Sequence, residues 1–410
     1  MAAPILAVCL FLALGSSAIA APEVYFANRD GLAPYFDREC GGTVENMWLE
    51  IVFVVDNSLG MTTQGLGDVA ANMLAVMGGV NIGIDPSNPR TTRVGIVLYN
   101  KNATIVANLD TFKSTNDFIN SVFANLATQS VSTYDESYLS QGLAMAEQVL
   151  QDGSRDDREL FKKVVVVYAS TYDENGNNNP LPVANRLKTD DIKIATAAYA
   201  QKDEGALLQK LSKIATPHLN FTNSDSELPA HLQNGLVQAN CFCPNGWRHY
   251  QETFSDVDSK KFGICIKPVV LSSTWVGAKM NCNVQWKNGY LVNEYTQHKH
   301  DFVLDAVRSN PTFKAPYKYL IGLSYYNNNW YWEQPFGTNG RPFTTGSWTD
   351  WNPGFPVIDS TRVVSRNNGY NQSLTSVGWE NIDRVKTTEF YVCEVISCDT
   401  DNYCQSDPNN

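Results

Sequence analysis

The chain is short of positive charge, of histidine and of long apolar runs, and each shortage removes a class of function. Thirty-one Lys and Arg stand against 42 Asp and Glu, a net charge of −11 over 410 residues. Without a basic surplus there is no electrostatic footprint to attract phosphate backbones or anionic membranes, so nucleic acid is not an expected partner. Beyond the first 20 residues no stretch reaches the roughly 18 to 20 consecutive apolar residues needed to span a bilayer, and the segment Ser397–Asn410 is too polar for a lipid-anchor signal. No transmembrane anchor is therefore expected. Only five His are present and no Gly-x-Ser-x-Gly elbow, which leaves nucleophilic catalysis without its usual parts.

What is present is a globular composition: 43% hydrophobic and 18% charged residues, at a length that suggests two domains. Residues 1–20 read as a signal peptide, with an apolar run from Ile5 to Leu14 and the small-x-small site Ala18-Ile19-Ala20, although no Lys or Arg precedes the run. A secreted product starting at Ala21 follows from that reading. Sequons at Asn102, Asn220 and Asn371 would then be glycosylation candidates. Cys9 leaves with the signal, and the even remainder suits an oxidising compartment: Cys40, Cys241, Cys243, Cys265, Cys282, Cys393, Cys398 and Cys404. Seven of those eight, and eight of the nine Trp, lie after residue 240, which marks a boundary there.

Between residues 45 and 240 the runs Ile51–Val55, Val94–Tyr99, Val164–Tyr168 and Ile192–Tyr199 are apolar on both faces. They alternate with stretches of helical spacing at Val69–Met77, Tyr138–Leu150 and Ala206–Ile214. That is the pattern of a doubly wound α/β domain, whose ligands sit beyond the carboxyl ends of its strands. Immediately beyond Val55 stands Asp56-Asn57-Ser58-Leu59-Gly60. A strand, Asp-x-Ser and a helix, followed by RVGIVLYN and SYLSQGLAMAEQVL, resemble a von Willebrand factor type A domain over nearly all of residues 45–240.

The resemblance implies a metal-ion-dependent adhesion site built from Asp-x-Ser-x-Ser, a Thr on a second loop and an Asp after a later strand. Asp56 and Ser58 match, but the second Ser is Gly60, the Thr position is Ser137, and the later loop reads Tyr168-Ala169-Ser170-Thr171 where Asp is expected. Losing a carboxylate removes charge and geometry from a site for Mg²⁺ or Ca²⁺, so no cofactor is required on this reading and divalent-ion affinity should fall. Asp135 and Asp173 are the nearby substitutes; the alternative is that Asp56 and Ser58 cap their own loop. Gly65-Leu66-Gly67-Asp68-Val69-Ala70 also fits a dinucleotide fingerprint, but lies ten residues beyond the strand instead of in its first turn.

Residues 241–397, ahead of a 398–410 tail, contain CPNGWRHY, WVGAKMNC, YLIGLSYYNNNWYWEQ, WTDWNPG, GWE and FYVCEV in that order. Helical periods appear only near Trp275–Trp286 and His298–Val307, as in a small α+β fold with long loops. The ordered set resembles a C-type lectin-like domain from end to end. By that family's pattern Cys282 pairs with Cys393 and Cys243 with Cys265; Cys40 with Cys241 and Cys398 with Cys404 are the simplest remaining pairs, which sequence does not fix. The family's sugar-bridging calcium rests on Glu-Pro-Asn or Gln-Pro-Asp and on Trp-Asn-Asp. Here the matches are Phe355-Pro356-Val357, with no side-chain oxygen, and Trp379-Glu380-Asn381. Ca²⁺ wants six to eight oxygens, so that site should not assemble. Glycan contact would then fall to stacking on Trp348, Trp351 or Tyr370, with Glu380 and Asn381 beside them.

His298-Lys299-His300 with Asp301 hints at zinc, but no companion ligand motif accompanies it. The architecture is similar to that of a nematode group of secreted lectin-like proteins. It implies a nonenzymatic protein that recognises an extracellular glycan or protein, with innate defence as the role. A matrix-associated scaffold without a small ligand is the alternative, and the oligomeric state is open.

Overall fold

The computed structural model describes residues 37–199, 204–344, 346–357, 362–367 and 377–405; the expected signal peptide, Tyr370 and Asn371 lie outside these residues. The first sheet has strand order β3-β2-β1-β4-β5-β6, formed by β1 (Leu49–Asp56), β2 (Arg93–Tyr99), β3 (Ala103–Ala107), β4 (Lys162–Ala169), β5 (Lys193–Ala198) and β6 (Asn220–Thr222). All its pairings are parallel except β2 with β3. The unbroken apolar run of β1 follows from its central place. Ile51, Phe53 and Val55 face one core with α1 (Thr63–Met77), α2 (Thr115–Val122) and α6 (Leu228–Ala239). Val52 and Val54 face the other, with α3 (Leu139–Asp152), α4 (Leu181–Thr189) and α5 (Glu204–Leu211). Helix α1 starts six residues before the expected Val69 because the Thr62 hydroxyl caps it, accepting from the Gly65 amide. The glycine motif at residues 65–70 therefore lies within a helix, its amides drawn into the helical ladder instead of forming a phosphate-binding turn.

The second sheet collects β7 (Arg248–Gln251), β8 (Lys261–Thr274), β9 (Tyr290–Leu291), β10 (Tyr319–Tyr326), β11 (Asn329–Trp332), β12 (Arg341–Pro342), β13 (Arg362–Asn367), β14 (Gly378–Asp383) and β15 (Thr388–Ile396). Two helices, α7 (Trp275–Gln285) and α8 (Gln297–Ser309), complete it. Trp332, Trp379, Phe302 and Val303 fill one core; Trp247, Trp275 and Tyr391 surround the Cys282–Cys393 bond in another. The remaining disulfides join Cys40 to Cys241, Cys243 to Cys265 and Cys398 to Cys404.

The two sheets meet at Trp48. Its buried ring packs edge-on against Phe161, Phe242 and Tyr403, and its indole N–H donates to the Asp399 carbonyl at 2.9 Å. Nearby, Lys299 is fully buried between Asp37 (2.6 Å) and Glu394 (2.9 Å). Burial opposes its charge, but the two carboxylates outweigh that and raise its pKa, so the ammonium is retained and ties the segment before Cys40 to β15.

Candidate functional site

Asp56 ends β1 at the carboxyl edge of the first sheet, and its carboxylate is completely buried. Loops from three parts of the chain converge on it. Oδ1 accepts from the Ser58 amide at 2.9 Å; Oδ2 accepts from the Ser137 hydroxyl at 2.9 Å, the Ser170 amide at 3.1 Å and the Ser170 hydroxyl at 2.6 Å. Tyr99, beside it on β2, has its hydroxyl pKa lifted by burial and by the charge of Asp56, and stays protonated. The structure thus brings together Asp56, Ser58 and Ser137, the residues the family resemblance implied, and adds Ser170, which stands near the position expected to carry Asp.

These donors decide whether a divalent ion fits. A hard cation needs about six oxygen lone pairs aimed at one point, whereas here the protons of Ser137 and Ser170 already occupy those of the sole carboxylate in the set. Ser58 Oγ and the Tyr99 hydroxyl are the exceptions: both are buried with no geometric hydrogen-bond partner among the described residues. Two vacant hydroxyls do not make a coordination shell, so the residues as arranged do not fit a tightly held Mg²⁺. Two acids lie nearby in sequence. Asp135 is exposed, and Asp173 accepts from the Asn175 amide (2.9 Å), Asn175 Nδ2 (2.7 Å) and Asn178 Nδ2 (3.1 Å), bonds that lower its pKa and tie it to its own loop. Around the rim, Leu59 and Tyr134 are exposed and joined by the bond from the Leu59 amide to the Tyr134 carbonyl.

The calcium-equivalent region of the second sheet is closed in a similar way. Asn381 Oδ1 accepts from the Val357 amide at 2.8 Å while its Nδ2 donates to the Val357 carbonyl. Glu380 Oε1 accepts from Asn352 Nδ2 at 2.8 Å. The chain at residues 350–352 lies directly on β14, the Asp350 carbonyl accepting from the Trp379 amide. A Cβ at Gly378 would come within 2.0 Å of Asn352 Oδ1, so this approach requires glycine. Side chains that could face an ion instead hold the loop.

Of the expected aromatic platform, Trp348 and Trp351 are half-buried and each packs edge-on against Trp379, at 5.3 and 5.4 Å, so part of each side chain supports the core. Asn220 is also less available than its sequon suggests: Nδ2 donates to the Leu208 carbonyl and Oδ1 accepts from Thr196, whereas Asn102 is exposed in the β2–β3 turn. The two histidines do not converge. His298 contacts the Tyr250 hydroxyl and the Glu252 carbonyl, while His300 lies 3.5 Å from buried Glu294 and 3.7 Å from Asp350. Among the described residues, Cys40, Cys241 and His249 form one cluster of metal-binding residue types, but both sulfurs are oxidised in a disulfide and cannot act as thiolates.

Sequence reasoning singled out His300 but missed its grouping with Glu294 and Asp350. Glu294 shows in the sequence only as an acidic residue ending the otherwise buried Tyr290–Asn293 stretch, and its partner Trp379, whose indole donates to it at 2.9 Å, is 85 residues away.

Comparison with known proteins finds similarities along the chain. Residues 50–235 match the von Willebrand factor type A domain family. The chain is 26% identical over 382 residues to C-type lectin domain-containing protein 160 of Caenorhabditis elegans, covering 91% of this chain and 57% of that protein. It thus spans little more than half of that relative's length. Among solved structures, proximal thread matrix protein 1 from the mussel byssus aligns over 47% of this chain and 46% of its own, with 17% identity and a TM-score of 0.38. Human lithostathine aligns over 38% of this chain and 90% of its own, with 21% identity and a TM-score of 0.28.

Proposed function

We propose that this chain, a von Willebrand factor type A domain followed by a C-type lectin-like domain, is a secreted nonenzymatic recognition protein that engages an extracellular glycan or protein without a bridging divalent ion. Host or microbial surfaces, and hence innate defence, are the setting we infer from that architecture. The observation that carries the reading is the saturation of the Asp56 carboxylate by Ser58, Ser137 and Ser170. Contact would fall to neutral side chains, and exposed Leu59 and Tyr134 at the rim of the first sheet give a protein ligand an apolar foothold beside the closed site.

The test is binding of the full chain to arrays of glycans and of extracellular proteins, run in Ca²⁺ and Mg²⁺ and again in chelator. Signals indifferent to chelator support the proposal. Signals abolished by chelator refute it, and blank arrays favour the scaffold alternative. Leu59→Asp should weaken any protein signal while leaving the fold intact, since Leu59 is already solvent-facing.

A further inference from the structure

Helix α7 has two unlike sides. Trp275, Ala278 and Cys282 are buried against the sheet. On the opposite side Val276, Met280 and Val284 recur at intervals of four and are 39%, 63% and 78% exposed. Phe336, on the loop after β11, is 48% exposed and closes one edge of an apolar hollow of about 340 Å³ shared with Gly277, Met280, Asn281, Asn283 and Val284. Isolated exposed apolar residues need no explanation, but a ridge along one helix beside an apolar hollow marks a contact surface.

We infer that this face pairs with the same face of a second copy of the chain, two α7 helices crossing about a two-fold axis near Met280. Three observations favour a second copy. The first is shape: the surface carries both a ridge and a hollow, so a two-fold operation sets each ridge into its mate's hollow, and flexible Met280 suits an irregular fit. The second is charge. None of the residues lining the hollow is ionisable, so two copies of a molecule of net charge −11 can meet across it without bringing like charges together there. The third is area. With full side-chain surfaces of roughly 150 to 200 Å², the four exposed side chains present on the order of 400 Å², close to the apolar share of the ~800 Å² that each partner gives a standard interface. Pairing would make binding bivalent, with two recognition surfaces held at a fixed spacing.

Sedimentation velocity of the full chain over a concentration series tests this. The expected result is a reversible dimer whose association weakens at least about tenfold in Met280→Glu, with the thermal midpoint unchanged when read well below the dissociation constant, where the side chain faces solvent. Met280→Cys, which places thiols near the axis, should form a covalent dimer under mild oxidation, and this readout stands even if the charged variant folds poorly. A wild-type chain that stays monomeric throughout overturns the inference. So does a dimer indifferent to Met280→Glu, or a monomeric chain that uses this face for a different extracellular protein.

Discussion

Replacing Asp56 by Ala separates a hydrogen-bond hub from a cation site by the sign of the effect. In a site evolved for a cation, clustered oxygens repel one another when the ion is removed, so truncating the carboxylate in chelator should be neutral or stabilising. Here Asp56 accepts from two amides and two hydroxyls in a fully buried setting. Truncation orphans those donors. At about 1 to 3 kcal/mol for each buried group left without a partner, and with some loop relaxation, the loss is about 3 to 5 kcal/mol. For a domain of this size that is a fall of about 10 °C in melting temperature. Urea titrations of wild type and Asp56→Ala, each in chelator and in millimolar Mg²⁺, measure it. We expect the same large destabilisation in both buffers and no Mg²⁺-dependent rise in the wild-type midpoint. A variant as stable as wild type in chelator, together with a wild type stabilised several degrees by Mg²⁺, would refute the hub.

His249 gives a pH dependence. Burial, and secondarily the charge of Lys261, lowers its pKa to about 4, so from pH 6.5 down to 4 the unfolded chain takes up a proton that the folded one refuses. Stability present above pH 6.5 should fall by about 3 kcal/mol across that window, and His249→Gln should flatten the curve in urea midpoints. Converting Cys282 and Cys393 to Ala opens a loop with a sequence separation of 111, which should cost about 4 to 5 kcal/mol by the chain-entropy estimate. Near-ultraviolet dichroism of the tryptophan-rich half against temperature would show the loss, and an unchanged midpoint would contradict it. Ser170→Asp should create a cation requirement. A second carboxylate in place of a hydroxyl 2.6 Å from Asp56 needs a proton or a metal between them. Calorimetry should then show Mg²⁺ uptake absent from wild type, and no uptake would mean that the site's geometry, beyond its charge, has been lost.

Much of the fold was legible because local pattern and global position agree. Ile51–Val55 reads as a two-faced strand because it lies at the centre of a sheet with a core on either side. The start of α1 was misplaced because Gly65 and Gly67 weaken the helical signal that the Thr62 cap restores. The site was legible in its members and not in its bonds. Asp56 and Ser58 announce themselves by spacing, but Ser170 lies 114 residues away, and nothing local says that its proton turns toward the carboxylate. The tryptophan packing is hidden for a related reason. Trp348 and Trp351 both contact Trp379, a relation that only the loop's return onto β14 creates.

The two departures at the first site belong together. A Cβ at Gly60 would lie 3.0 Å from Ser170 Oγ and 3.4 Å from Thr171 Cγ2, tighter than ordinary van der Waals contact. Glycine at position 60 therefore gives the later loop room to come down onto Asp56, and the serine that arrives there supplies the amide and hydroxyl that the carboxylate accepts. A serine at 60 would push against that loop, and an aspartate at 170 would bring like charges together unless a cation lay between them. Glycine at 60 and serine at 170 thus suit one another, and together they close the pocket with protons. On this argument the altered residues form a coupled rearrangement: position 170 decides whether the site needs a cation, and position 60 how closely the later loop approaches Asp56.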